Sequence, residues 1–388
     1  MPAMRDALII GGGPAGLHAA RRLAEAGFNV EVLEEHAEIG EPVHCTGVLA
    51  AEAFDEFQLS RTSILNELKT ALFWSPSGRQ VTYAGGRVEA VVVDRRIFDQ
   101  HLLEAAQGAG AVVQRARRAT AVDVDADGVT VRAGNLEARA RVCILACGAN
   151  YSLQRQLGLG MPRLFLQTAQ MELAAERPGE VELHFGVEVA PKGFGWAVPV
   201  CRPKRASVRI GVMCDNDAPG HFTRLTRRIA ERWRVKEEAI GRPRQKILPL
   251  APISRTYGDR LLVVGDAAGL VKPTTGGGIY YSLVSGALAA EVLVDALRDN
   301  QTSSVRLARY EQLWRDRLSD EFQTQLSLRL LAHRMSDADI DELFELARTD
   351  GIMPIVRRTA SFNRHRKLIL ALFRHPPVRQ LLLRQLAF

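Results

Sequence analysis

Cysteine is scarce in this chain and poorly placed for structural chemistry. The five cysteines, Cys45, Cys143, Cys147, Cys201 and Cys214, are odd in number. Cys143 and Cys147 are close, but no second pair completes a zinc-ribbon pattern, so neither a disulfide framework nor a metal site is expected. With 388 residues the chain can bury a large core without staples. A reduced, cytoplasmic compartment follows. Long apolar runs are also missing. The longest uncharged stretch, Pro273 to Ala290, carries a glycine triplet and is shorter than the ~20 residues of a membrane span. It reads as a buried loop followed by a helix, in a protein that is soluble or peripheral to a membrane. The apolar run Ala7–Ile10 meets a glycine loop at once, which leaves no room for a targeting peptide. Repeats and low-complexity segments are absent. At 47% hydrophobic and 24% charged, the composition is that of a globular protein of two or three structural units.

Acidic residues are missing from one region. Net charge is +7, and the segment from Gly351 to Phe388 holds eight Lys and Arg and no acid. By charge alone such a tail suits nucleic acid, an anionic membrane surface or a solvated helical face. No nucleic-acid partner is expected.

What is present begins at the amino terminus. Ala7–Ile10 reads as a buried strand, Gly11-Gly-Gly-Pro-Ala-Gly16 as a turn, Leu17–Ala26 as a helix and Asn29–Glu34 as a second strand. This is G-x-G-x-x-G in its strand–turn–helix setting. Gly11 allows the tight turn, Gly13 lets the backbone approach a pyrophosphate, and Gly16 lets helix and strand pack closely. Pro14 and Ala15 open the helix whose free N–H groups favour negative charge. Glu34, 18 residues after Gly16, is placed to accept from ribose hydroxyls, with Glu35 beside it. The motif alone does not separate NAD from FAD. Next comes Ile39-Gly-Glu-Pro-Val-His-Cys-Thr-Gly47. Loops at the carboxyl ends of such strands meet the ligand, so Cys45 is a candidate to face the cofactor; the alternative is a small buried hydrophobe.

Val88–Val93 reads as a strand, and Asp94-Arg-Arg-Ile-Phe-Asp99 opens a helix to about residue 107. Arg95 is a candidate for the cofactor phosphates or adenosine side, or else a surface ion pair. Phe98 and Asp99 look structural. Residues 111–141 alternate like an antiparallel meander, with turns at Asp127-Gly128 and Gly134-Asn135. Val142–Cys147 reads as a buried strand with both cysteines in the core.

A second glycine cluster lies some 250 residues downstream. Leu261–Val264 reads as a strand ending at Gly265-Asp266, and Pro273–Gly278 opens a helix from Ile279 to about Leu297. Asp266 can accept from a ribityl chain. The helix amino terminus after Gly276, Gly277 and Gly278 can stabilise electron density on the pyrimidine side of a reduced flavin.

Together GGGPAG, VDRRIFD, GDAAG and PTTGGGI resemble the glutathione-reductase-type FAD proteins related to para-hydroxybenzoate hydroxylase. Over about residues 5–300 the chain is most similar to the geranylgeranyl reductase family. Gly40–Gly47 is similar to that family's cysteine-bearing loop beside the flavin. Lys272–Ile279, with Ser285-Gly286 downstream, is similar to its flavin loop. Pro191-Lys-Gly-Phe-Gly-Trp-Ala-Val-Pro199 is similar to its substrate-domain signature. The chain departs in three places. Phe194 stands where tyrosine is usual, and Val198 where phenylalanine is. In Ala146–Arg155, Cys147 stands where related hydroxylases carry an aspartate, which weakens the case for NADPH docking of the hydroxylase kind.

The resemblance implies an α/β fold: a Rossmann-like FAD domain (1–160 and 256–300), an antiparallel-sheet substrate domain (161–255) and a helical C-terminal region (301–388). It also implies FAD, with NADPH or another reductant, and hydride transfer to a carbon–carbon double bond of a polyprenyl or similar apolar substrate. Cys45 is the candidate catalytic residue, as proton donor or gate; the resemblance implies its position rather than its role. Strands are expected at Leu164–Leu173, Val181–Phe185, Gly193–Val200 and Ala206–Cys214, roofing the flavin. Phe194, Trp196 and Pro199 are the candidate substrate-binding residues; plain core packing is the alternative. His184 and His221 read as structural. Helices are expected from His221 to Val235, from Ser304 to Leu331, and after Ser336. The tail from Lys367, split by Pro376-Pro377, is either a membrane-facing segment or a helical cap. A flavin monooxygenase or halogenase is the alternative activity, and an electron carrier without turnover a second one. An electron-donor protein is a candidate partner.

Overall fold

The apolar run at the amino terminus becomes the strand Arg5–Ile10 in the middle of a parallel sheet. A computed structural model describes residues 4–385 except 177, 178, 204 and 350, so the last three residues of the tail lie outside the described residues. Val30–Leu33 and then Val112–Gln114 pair in parallel on one side of this strand. Leu136–Leu145 and then Leu261–Val263 pair in parallel on the other. All these strands therefore point their carboxyl ends at one edge, where the glycine turns follow.

The expected meander over 111–141 needs correcting. Val112–Gln114 is a parallel-sheet strand; the antiparallel part is Ala121–Val124, Val129–Ala133 and the first half of Leu136–Leu145. A three-residue run is too short for periodicity to tell the two apart. Leu136–Leu145 serves both layers, since its second half pairs with Arg5–Ile10.

A second sheet of seven strands runs in the order Arg244–Pro249, Phe165–Ala174, Arg205–Cys214, Phe194–Arg202, Val181–His184, Thr70–Trp74, Gln80–Ala84. It is antiparallel except where Val181–His184 meets Thr70–Trp74 in parallel. The two strands from the first hundred residues were not legible in the sequence. Strand alternation divides the two faces of this sheet. Ala197, Val208, Ile210 and Val212 pack under the helix Ala218–Trp233, against Phe222, Leu225, Ile229 and Trp233. Burying each such large side chain stabilises by about 1.5–3 kcal/mol. Phe194, Trp196, Val198 and Met213 occupy the opposite face. Trp196 lies flat over its neighbour in the ladder, Gly211, where a Cβ would come within 2.3 Å of the indole.

The helix Ile279–Arg298 is long and apolar enough to span a membrane, but 72% of its apolar window is buried, as in a core helix. It crosses the helix Pro14–Glu25 closely at Gly286, where a Cβ would lie 2.5 Å from the Ala15 carbonyl. The long helix Ser304–Ala332 is pinned to the parallel sheet by Tyr310, whose hydroxyl donates to the Val263 carbonyl at 2.9 Å. Trp314 donates to the Thr256 hydroxyl at 2.9 Å. Ser336 and Asp339 exchange backbone-to-side-chain bonds at the start of Asp337–Thr349, a reciprocal N-cap. Ile352–Thr359, Arg366–Arg374 and Pro376–Arg384 follow, the proline pair beginning the last helix.

Candidate active site

The two glycine clusters meet at the carboxyl edge of the parallel sheet. A cavity of about 1020 Å³ opens there and extends to the second sheet and the C-terminal helices. Gly11 sits at φ +113°, and a Cβ there would lie 2.3 Å from the Ala146 carbonyl oxygen. At Gly13 a Cβ would meet nothing within 4 Å. Its smallness therefore serves no packing inside the chain and leaves space above the turn. The helix beginning at Pro14 has no side-chain cap, so its first-turn N–H groups stay available at the cavity.

Glu34 lines the cavity. Its carboxylate accepts the Gly12 N–H at 2.6 Å and the His36 N–H at 2.9 Å. A carboxylate has roughly four acceptor sites, so capacity for a hydroxyl remains. Glu35 also lines the cavity and pairs with Arg118 at 3.4 Å. Arg95, with a side chain 13% exposed, donates to both oxygens of Asp99, at 3.0 and 2.8 Å. Burial opposes its charge, but Asp99 and the Cys45 side chain beside it hold its pKa above the ordinary arginine value. Asp99, which reads as structural in the sequence, is thus the counter-ion of a cavity-wall arginine. Among the described residues the buried Arg95 Nε has no hydrogen-bond partner.

Cys45 lies in the cavity wall, with the Gly47 N–H donating to its Sγ at 3.3 Å. Its loop is held from the second sheet. Arg209 donates to the Thr46 carbonyl at 2.7 Å and to the Val93 carbonyl at 3.0 Å, and Thr46 donates to Gln170 at 2.9 Å. Arg209 is in turn paired with Glu172 at 2.9 Å. Burial opposes the Glu172 charge, but bonds from Arg202, Ser207 and Arg209 prevail and lower its pKa to about 2.

Gly265, Asp266, Gly276, Gly277, Gly278 and Ile279 all line the cavity. Gly278 touches the Asp266 carboxylate, where a Cβ would come within 2.8 Å of Oδ1. The helix beginning at Ile279 also lacks a side-chain cap. Phe194 and Trp196 form one wall, their rings 6.0 Å apart at 62°, with Val198 and Met213 beside them. Pro199 is a correction. It is buried but does not line the cavity, because alternation turns it to the opposite face of its strand. Cys147 needs a smaller correction: the strand ends at Leu145, and Cys147 packs against the core while also lining the cavity, its thiol pushed up to about 12 by burial.

Several cavity residues escaped sequence reasoning. Lys272 is buried beneath the glycine triplet. Val356, Phe362, Leu368 and Leu372 close the cavity from the C-terminal region. Their apolar spacing was readable, but what they pack against was not.

The model of the family described as "Lycopene cyclase protein" matches residues 6–349. A digeranylgeranylglycerophospholipid reductase of Methanopyrus kandleri is 33% identical over 374 residues, covering 90% of this chain and 98% of that one. One from Methanocaldococcus jannaschii is 32% identical, covering 88% and 90%. The chain belongs to the geranylgeranyl reductase family. A geranylgeranyl bacteriochlorophyll reductase-like structure from Thermoplasma acidophilum superposes with a TM-score of 0.85 at 25% identity, over 98% of this chain and 99% of that one. The halogenase PltM shares the fold, with a TM-score of 0.71 at 18% identity over 99% and 92%. As a member of the geranylgeranyl reductase family, the protein is an FAD-dependent oxidoreductase. The open space over Gly13, the uncapped helix and the unpartnered Arg95 Nε fit that cofactor.

Proposed function

We propose that this reductase hydrogenates carbon–carbon double bonds of polyprenyl chains carried on a lipid. The carrying observation is the single cavity that joins the Gly11–Gly16 turn to a wall of Phe194, Trp196, Val198 and Met213 and on to apolar C-terminal side chains. When bound and reduced, FAD supplies hydride to the double bond. In this reading the turn and helix N–H groups hold the diphosphate, and Glu34 and Glu35 the ribose side. Arg95 supplies positive charge at the cavity wall. Asp266 accepts from the ribityl chain, and the Gly276–Ile279 backbone flanks the pyrimidine edge. Cys45 holds a proton beside the apolar space, and the Arg209–Thr46 contact keeps its loop in place. Phe194 and Trp196 exclude water and orient the chain. NADPH or an electron-donor protein supplies the electrons, and the basic C-terminal helices rest on the inner face of an anionic membrane.

The names of the reductase relatives and the apolar wall support this reading over the monooxygenase or halogenase alternative, with which the PltM likeness shares only a fold. Incubating FAD-loaded protein and dithionite with an unsaturated prenyl glycerophospholipid, without oxygen, tests it. Mass spectrometry should show two hydrogens gained per reduced bond. An unchanged lipid, or a product gaining oxygen only in air, would overturn it.

A further inference from the structure

The loop 272–277 closes on itself: the Lys272 N–H donates to the Gly277 carbonyl at 3.2 Å, and the Gly276 N–H to the Lys272 carbonyl at 2.9 Å. This ring leaves the lysine side chain folded beneath the triplet. A Cβ on Gly277 would lie 2.5 Å from Lys272 Cε and 3.2 Å from Nζ. Lys272 is only 2% exposed, yet it lines the cavity. Its Nζ donates to the Phe362 carbonyl at 2.7 Å and sits 4.0 Å from the Phe362 ring centroid.

Among the described residues the ammonium has no carboxylate salt bridge. The nearby acids are engaged elsewhere. Glu321 accepts from Gln325 and from the backbone of His365 and Arg366, and Glu52 accepts from Asn363. His365, the other titratable neighbour, is held neutral by burial, its pKa lowered to about 3. Burial likewise lowers Lys272 to about 7. An unpaired buried cation costs several kcal/mol, and a negative charge arriving across the triplet would offset that cost.

We infer that the Lys272 ammonium, lodged beneath Gly277 of the flavin loop, is a positioned charge that stabilises the reduced, anionic form of the cofactor. Two electrons and one proton from a hydride donor convert FAD to the FADH anion. The added charge on the pyrimidine edge then faces Lys272 as well as the helix N–H groups. Lys272 acts as a positioning residue, through space, without touching the reacting carbon.

The inference rests on FAD lying against Gly276–Gly278. Its test is equilibrium potentiometry at pH 6 on FAD-loaded wild type, K272M and K272R, reduced with dithionite beside a reference dye. K272M keeps the shape of the stem and should still bind one FAD per chain. It should bind reduced FAD at least tenfold more weakly relative to oxidised FAD, a potential lower by about 30 mV for a two-electron couple. K272R should close most of that gap. A yellow K272M with less than a twofold change overturns the inference while leaving the FAD reading intact; a wild type that takes up no flavin removes the reading itself. Should K272M lose FAD, wild type decides through the pH dependence of its potential. Reduction should take up one proton per two electrons below pH 7 and a second, by Lys272, above it. A proton count that stays constant or falls with rising pH overturns the inference.

Discussion

Arg95 and Lys272 line the cavity and Arg209 braces the Cys45 loop, and the partners of these cations set their roles. Arg95 is answered by Asp99 and Arg209 by Glu172, whereas among the described residues Lys272 has a carbonyl and a ring but no carboxylate. Arg209 matters because it reaches from the second sheet to the Cys45 loop. Cys45 is the residue most exposed to a functional test. C45A should keep its FAD spectrum while turnover falls by about 10², the low end of what a positioned proton donor contributes. Steady-state product formation at matched FAD content measures it, and unchanged turnover would remove Cys45 from the chemistry. Glu172 allows a stability test with a definite sign. Its folded pKa of about 2 lies below the unfolded carboxyl near ~4.3. The stabilisation is therefore full above that unfolded value and lost as pH falls toward 2. Melting curves of wild type and E172Q should differ most at pH 6, draw together below pH 4 and converge only at about pH 2 and below.

At the scale of elements, strand alternation sorts the substrate signature. Phe194, Trp196 and Val198 face the cavity, and Pro199 faces the other way. V198F should narrow the apolar space and raise KM for long prenyl chains on the order of tenfold, while P199A leaves KM unchanged. A KM rise in P199A without loss of fold would contradict the assignment. The elements flanking the cofactor were largely legible. GGGPAG between a strand and a helix, and GDAAG followed by PTTGGG, carry their backbone requirements in their glycines. The strand Val112–Gln114 was not legible, because three residues do not display a period. Nor was the hairpin Thr70–Trp74 and Gln80–Ala84 as part of this sheet, because the pairing of Thr70–Trp74 with Val181–His184, a hundred residues away, leaves no local mark.

The whole molecule closes its cavity with the far end of the chain. Gln325 accepts from the Thr274 hydroxyl at 2.8 Å, His365 bonds the same hydroxyl at 2.7 Å, and Arg329 donates to the Pro273, Thr274 and Lys192 carbonyls. The C-terminal helices thus clamp the loop 273–277 while presenting apolar residues to the cavity and arginines to the outside. If these helices rest on a membrane, the protein should cosediment with vesicles containing anionic lipid and detach as salt rises. A triple variant, R357E, R358E and K367E, should lose that binding and keep its FAD. Equal binding to neutral vesicles would argue against an electrostatic contact.

The local elements of the cavity were written in the sequence: a glycine turn, an acid at the end of the second strand, a cysteine loop and a glycine-rich helix start. These motifs are short-range, since each works through backbone shape and neighbouring N–H groups. Only the tertiary structure decided that Arg209 holds the Cys45 loop, that Pro199 turns away, that Cys147 faces the cavity and that Lys272 lies unpaired beneath Gly277. Burial and partnership are properties of residues brought together from distant parts of the chain, and no local pattern encodes which charge will be answered and which will be left waiting.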